Sequence, residues 1–199
     1  MGFLTEEPDY IIKLEGKRFE VNPAFDVVLE IQNLYREEEL SDLDKLEQAL
    51  KMLVVSGHLE ELSMQAKAEL LEEIYQRYVN TRKRPKAAKE KNTLDFDYDG
   101  EYIYASFMMD YGMDLIDLQG RLPWKKFIAL FQGLSKNTKI REVMRIRAMD
   151  IPSYNGKNGK EVREIQELKS YYALPVRGGG GQSGLNLLFH ALESMATKK

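Results

Sequence analysis

The most chemical-looking string in the chain is Asp95-Phe96-Asp97-Tyr98-Asp99-Gly100. Alternating carboxylates followed by glycine match the first half of a calcium-binding loop, where oxygen ligands sit at alternate positions and glycine makes the bend. The second half does not follow the pattern. Tyr102 stands where a small aliphatic residue is usual, and Ser106 where a bidentate glutamate completes the shell. The competing reading is that Asp97 and Asp99 cap and charge-complement a helix that starts there. That reading is preferred, and no metal or cofactor is expected.

Arg82-Lys83-Arg84-Pro85-Lys86, followed by Lys89 and Lys91, is the second candidate. Arg82, Lys83, Arg84 and Lys86 could contact phosphates, and Tyr75 and Tyr78 lie just upstream. At helical spacing those tyrosines are expected to face a core rather than stack bases. The run reads first as a solvated linker, and nucleic-acid binding is the alternative that rests on it. Catalysis needs a nucleophile beside a base, and no Gly-x-Ser-x-Gly, His-Glu-x-x-His or phosphate-binding glycine loop is present. Of the 2 histidines, His58 follows a helix-ending glycine and His190 sits in the tail. With 0 cysteines there is no thiol nucleophile, redox switch or thiolate metal site. An enzyme is not expected.

Composition agrees. The 199 residues are 43% hydrophobic and 31% charged, with a net charge of −3, so no global field drives the chain onto nucleic acid or an anionic membrane. No run approaches the roughly 18 apolar residues of a membrane span, and the acidic Met1–Tyr10 is unlike a signal peptide, so cytoplasm is the expected compartment. Charge is uneven: residues 1–81 carry 8 basic and 18 acidic side chains, residues 82–91 carry 6 and 1, and residues 136–199 carry 12 and 6. An acidic front and basic back can pair with each other or with a second copy.

The elements that must position these residues are mostly helical. Tyr10–Leu14 and Lys17–Val21 flank Glu15-Gly16 as a hairpin. Asn22-Pro23 then opens a helix with Phe25, Val28, Leu29, Ile31 and Tyr35 on its apolar steps. Ser41–Asp44 starts a second, carrying Leu43, Leu46, Leu50, Leu53 and Val54 up to Gly57. A third of about 20 residues places Leu62, Ala66, Leu70, Ile74 and Tyr78 on one face. Residues 82–95 divide this N-terminal part, 1–81, from an aromatic-rich helical part, 96–175. There Tyr102, Ile103, Phe107 and Met108 precede a stop at Gly112. Pro123 opens a helix with Trp124, Phe127, Leu130 and Phe131, Thr138 caps one with Ile140, Val143, Met144 and Ile146, and residues 161–172 form another.

The four glycines Gly178–Gly181 read as a tether to a last amphipathic segment, 185–196, tether and helix together making up residues 176–199. Its stripe of Leu185, Leu188, Phe189, Leu192 and Met195 needs a groove, because a helix of about 12 residues is marginal alone. That groove could lie on the same chain or on another, and a neighbouring copy is preferred. The fold class is therefore mainly α: a helical bundle with a small N-terminal β-hairpin and a tethered C-terminal amphipathic helix. The aromatic density over residues 96–131 exceeds what short helices bury, as on a partner-binding surface.

Residues Asp95–Pro152 resemble a family of tailed-bacteriophage proteins, the gp-fifteen-like proteins of long-tailed phages of Gram-positive hosts. Asp97-Tyr98-Asp99 and Tyr102-Ile103-Tyr104-Ala105-Ser106-Phe107 match the family's acidic-aromatic opening, and Tyr111-Gly112-Met113-Asp114-Leu115 its turn. Leu122-Pro123-Trp124-Lys125-Lys126-Phe127 matches a Leu-His-Trp-Trp-x-Phe segment, with proline in place of histidine and lysine in place of the second tryptophan. Leu130, Leu134, Ile146 and Arg147 follow the family's later pattern, and Lys169–Leu174 its close with a small adjustment. With the hairpin and helices before it, the resemblance covers roughly residues 1–175. It implies a tail-assembly chaperone, encoded between tail-tube and tape-measure genes. Such a chaperone coats the helical tape-measure protein, recruits tube subunits, leaves before the tail is complete and is absent from the mature virion.

Overall fold

The computed structural model describes residues 3–5, 8–80 and 92–175. They form two compact units. The first holds the described residues up to 80 together with Gln119–Phe127, and the second holds 92–118 and 128–175. Seven α-helices and one small sheet are present among the described residues. The basic run 82–91 and the segment 176–199, with Arg82, Lys83, Arg84, Lys86, Leu185, Leu188, Phe189, Leu192 and Met195, fall outside them.

In the first unit, β1 (Ile11–Leu14) and β2 (Lys17–Val21) pair antiparallel with Ile12 opposite Phe19. The turn has φ 49° at Glu15 and 75° at Gly16. Two positive φ values in a two-residue loop match the right-handed twist of the strands. The sheet differs from the expected hairpin by a third strand, β3 (Val54–Ser56), antiparallel to β2. Apolar spacing alone would carry the preceding helix through Val54. The β-branching of Val54 and Val55 favours instead the extended backbone that β2's free edge can pair. Gly57, at φ 134°, follows because a Cβ there would meet Phe19 Cδ1 at 2.5 Å.

Helix α1 (Phe25–Leu34) starts two residues later than Asn22-Pro23 suggested, with Ala24 at its N-cap and no side-chain cap. Asn22 instead donates to the Gly120 carbonyl, and Asp26 accepts the Gly120 N–H. A bridge at Ala24 and Pro123 fastens this stretch: Phe25 N–H donates to Leu122 O at 2.9 Å and Trp124 N–H to Pro23 O at 2.8 Å. α2 (Asp42–Leu53) and α3 (Met64–Ile74) begin at Ser41 and Ser63, whose hydroxyls accept the N–H groups of Asp44 and Ala66. These are the side-chain caps that short helices favour. Leu46, Leu50, Leu53, Leu70, Leu71 and Ile74 are buried, while Leu43, expected on α2's inner face, points to solvent. The single 20-residue helix is instead a 3-10 turn (Leu59–Glu61), α3, and a π-helix (Tyr75–Val79) with Tyr75 and Tyr78 buried.

In the second unit, α4 (Gly100–Tyr111) ends on Gly112 in the left-handed conformation, φ 61°. α6 (Lys139–Ala148) lies against both α4 and α7 (Gly159–Tyr171). α5 (Trp124–Gly133) gives its first turn to one unit and the rest to the other. Trp124, Phe127 and Phe131 are buried as the three- and four-residue spacing suggested.

Candidate partner-binding surface

The acidic string does not gather its oxygens around a common point. Asp95 Oδ1 accepts the N–H groups of Asp97 and Tyr98, which closes a local turn. Asp99 occupies the N-cap position of α4, yet makes no side-chain cap bond there. Its carboxylate accepts the Asp95 N–H and is gripped by Arg147, with Nη1–Oδ2 at 2.6 Å and Nη2–Oδ1 at 2.7 Å. This corrects the cap expected of Asp99. Burial decides it: Arg147 and Asp99 side chains are 5% and 0% exposed. A lone buried charge would cost several kcal/mol, and a bidentate arginine offsets that cost better than backbone N–H groups alone. Among the described residues, no group of three or more His, Asp or Glu side chains is placed to hold a metal ion.

Arg147 binds more than Asp99. Its Nη1 also donates to Thr93 O at 3.0 Å and its Nε to Tyr172 O at 2.6 Å. One guanidinium therefore fixes the approach to α4, the end of α6 and the end of α7. Lys169 works beside it, giving its ammonium to the carbonyls of Ile146, Arg147 and Met149 at 3.4, 2.6 and 2.8 Å. α6 has no glycine to end it, and a cation from α7 bonds the carbonyls at its C-terminal end. Tyr172 completes the cluster. Its hydroxyl accepts from Lys139, and its ring meets that of Tyr102 edge-on. The hydrogen bonds to Tyr172 and Glu142 raise the Lys139 pKa. The sequence pattern singled out Arg147, and Lys169 entered it only as the first residue of the Lys169–Leu174 close, with no role attached.

The remaining motif residues hold α4 at both ends. Ser106 donates to Tyr102 O and accepts the Ile140 N–H at 3.1 Å. It thus does for α6 the capping expected of Thr138, whose hydroxyl turns to Ser135 O instead. Asp110 accepts from the Ser135 N–H and hydroxyl, and Tyr111 donates to Leu130 O. Beyond Gly112, Asp114 accepts the N–H groups of Ile116 and Asp117 and the Tyr104 hydroxyl. Partial desolvation works against ionisation of Asp114, but these hydrogen bonds prevail and lower its pKa. Phe107 and Leu115 are buried.

So fixed, α4 presents one face to solvent. Glu101, Ala105, Met108 and Met109 lie along it, with Tyr98 one turn before. Met109 is 63% exposed and Tyr98 52%. Glu101 is the only charge on this row. A helix apolar on every side is ordinarily buried on every side. Methionine adds unbranched, adaptable side chains suited to the irregular surface of another helix.

The model of the bacteriophage Gp15 protein family matches residues 6–174, and the chain belongs to that family. No curated protein and no solved structure matches it.

Proposed function

We propose that this phage protein is a non-catalytic tail-assembly chaperone whose α4 face binds the tape-measure protein. The observation that carries the reading is the exposed row Tyr98, Ala105, Met108 and Met109 on a helix anchored at both ends. Family membership supplies the phage context. The tail-assembly role comes from the position among tail genes that the resemblance implies. A long helical protein awaiting assembly exposes apolar stripes, and a methionine–tyrosine surface can hold such a stripe without demanding one exact sequence. The tail-tube protein is a second partner in this reading, and further copies of the chain a third. The protein acts in the cytoplasm of the bacterial host and leaves before the virion is complete.

The test is co-expression with the long helical reading frame expected directly downstream, followed by affinity purification. Co-purification should be lost in a Tyr98→Ala, Met109→Asp variant that melts at the parent's temperature. Retention by that folded variant overturns the α4 assignment. Salt-sensitive binding of duplex DNA, lost when Arg82, Lys83, Arg84 and Lys86 become alanine, would support the nucleic-acid alternative instead.

A further inference from the structure

The chain holds two Asn-Gly pairs, Asn155-Gly156 and Asn158-Gly159, and both lie where the loop enters α7. Asparagine before glycine is chemically labile in water, because a residue without Cβ leaves its backbone nitrogen open to approach the preceding side-chain carbonyl. Three conditions favour the reaction. The side-chain carbonyl is polarised, its amide nitrogen is free to leave, and the intervening backbone has room to turn. The two asparagines differ in all three.

Asn155 is exposed, and its Oδ1 accepts the N–H groups of Lys157 and Asn158 at 3.0 and 3.1 Å. Two backbone donors on one carbonyl oxygen at this range are the arrangement that stabilises an oxyanion in acyl transfer. No described residue accepts from Asn155 Nδ2, the group that must depart. At Gly156, with φ 83°, a Cβ would meet nothing within 4 Å, so this peptide has space to swing. Lys157 and Lys160 line the same open hollow as Asn155 and favour negative charge there.

Asn158 is half-buried and held at every end. Its Oδ1 accepts the Asn155 N–H at 2.9 Å, and its Nδ2 donates to Ser153 O at 3.0 Å. Its backbone carbonyl accepts the Val162 N–H, which opens the hydrogen-bond ladder of α7, with ψ at 21°. Closing a five-membered ring requires the next nitrogen to eclipse Cβ. At Asn158 that rotation of ψ swings the carbonyl away and breaks the bond to Val162.

We infer that Asn155 is a site of spontaneous deamidation assisted by the folded loop, and that the same loop protects Asn158. The Gly156 nitrogen gives its proton to hydroxide and attacks Asn155 Cγ. The new N–Cγ bond forms, the Cγ–Nδ2 bond breaks, and Nδ2 takes a proton from water and leaves as ammonia. The cyclic imide then adds water at one of its two carbonyls. One opening gives aspartate, and the other gives isoaspartate, whose main chain runs through Cγ. Both products put a new negative charge just ahead of α7, and isoaspartate also breaks the turn that Oδ1 holds. The inference concerns this loop and stands whether or not α4 binds the tape-measure protein.

The test uses the full chain, kept folded in mildly alkaline buffer and, in parallel, unfolded in urea, with samples taken over days. Trypsin cuts after Lys157 and after Lys160, so the two asparagines fall in separate peptides. Mass spectrometry then reads the gain of one dalton at each. In the folded chain Asn155 should convert about tenfold or more faster than Asn158, and in urea the two should convert at similar rates. Hydroxylamine, which cleaves the imide, should cut the folded chain after Asn155 and leave the bond after Asn158 intact. Equal rates at the two sites in the folded chain, faster conversion of Asn158, or a folded chain intact at Asn155 after the unfolded one has converted would each overturn the inference.

Discussion

Replacing Asp99 with alanine would leave the Arg147 guanidinium buried without its counter-charge. The two bonds between them, at 2.6 and 2.7 Å, are short and charge-assisted, and both disappear with the carboxylate. The Asp95 N–H loses its acceptor as well. Removing one member of a buried pair ordinarily costs about 3–5 kcal/mol, mostly because the other charge remains. With a urea dependence of about 1–3 kcal/mol per molar, the unfolding midpoint should fall by roughly 2 M. Far-UV circular dichroism is the suitable probe, because the only tryptophan lies in the first unit. Arg147→Met should cost a similar amount, since it strands Asp99 at full burial. The double variant should recover much of the loss, coming within about 2 kcal/mol of the parent, because apolar side chains replace both charges. Arg147→Lys should not rescue, as an ammonium cannot reach Asp99, Thr93 and Tyr172 together. An Asp99→Ala variant within about 1 kcal/mol of the parent would refute the reasoning, and so would a double variant as unstable as the two single losses added.

Two further outcomes are expected. Trp124→Ala should destabilise by about 3–5 kcal/mol in urea titration, because it opens a cavity beside Phe127, whose ring centroid lies 5.7 Å away; a variant as stable as the parent would show that the indole is not core. The lowered pKa of Asp114 makes its contribution to stability fully present above the unfolded-state value of about 3.9 and lost as pH falls through the lower folded value. Tyr104→Phe should weaken the pH dependence of melting below about pH 4, and an identical profile in parent and variant would rule out that linkage.

The parts of the fold legible in the sequence are those that apolar spacing decides. Phe25, Val28 and Ile31, Leu46 and Leu50, and Trp124, Phe127 and Phe131 recur at helical steps and are buried. Errors fall where a competing interaction outranks local pattern. Val54 continues α2's apolar spacing, yet β2 offers an edge that its extended backbone can pair. Leu43 fits the α2 stripe by count and lies outside it in space. Asn22, Asp99 and Thr138 each look like helix caps, and each gives its side chain elsewhere: to Gly120 O, to Arg147 and to Ser135 O. A short polar side chain has several partners of similar energy within reach, and only the tertiary arrangement selects among them.

The same physics governs the proposed partner surface. Asp99 and Arg147 are separated by 48 positions, and Arg147 and Tyr172 by 25, so no local window pairs them. The aromatic surplus over residues 96–131 is visible in composition, but which members face outward depends on that long-range network. Arg147, Lys169, Ser106 and Asp110 turn α4 so that Phe107 and Ile103 go inward. Tyr98 and Met109 are then left exposed on its outer side, where the proposed partner would bind. The family motif thus divides into residues that orient the helix and their neighbours on its free side. A substitution in the first group should act through folding, and one in the second through binding with the melting temperature preserved.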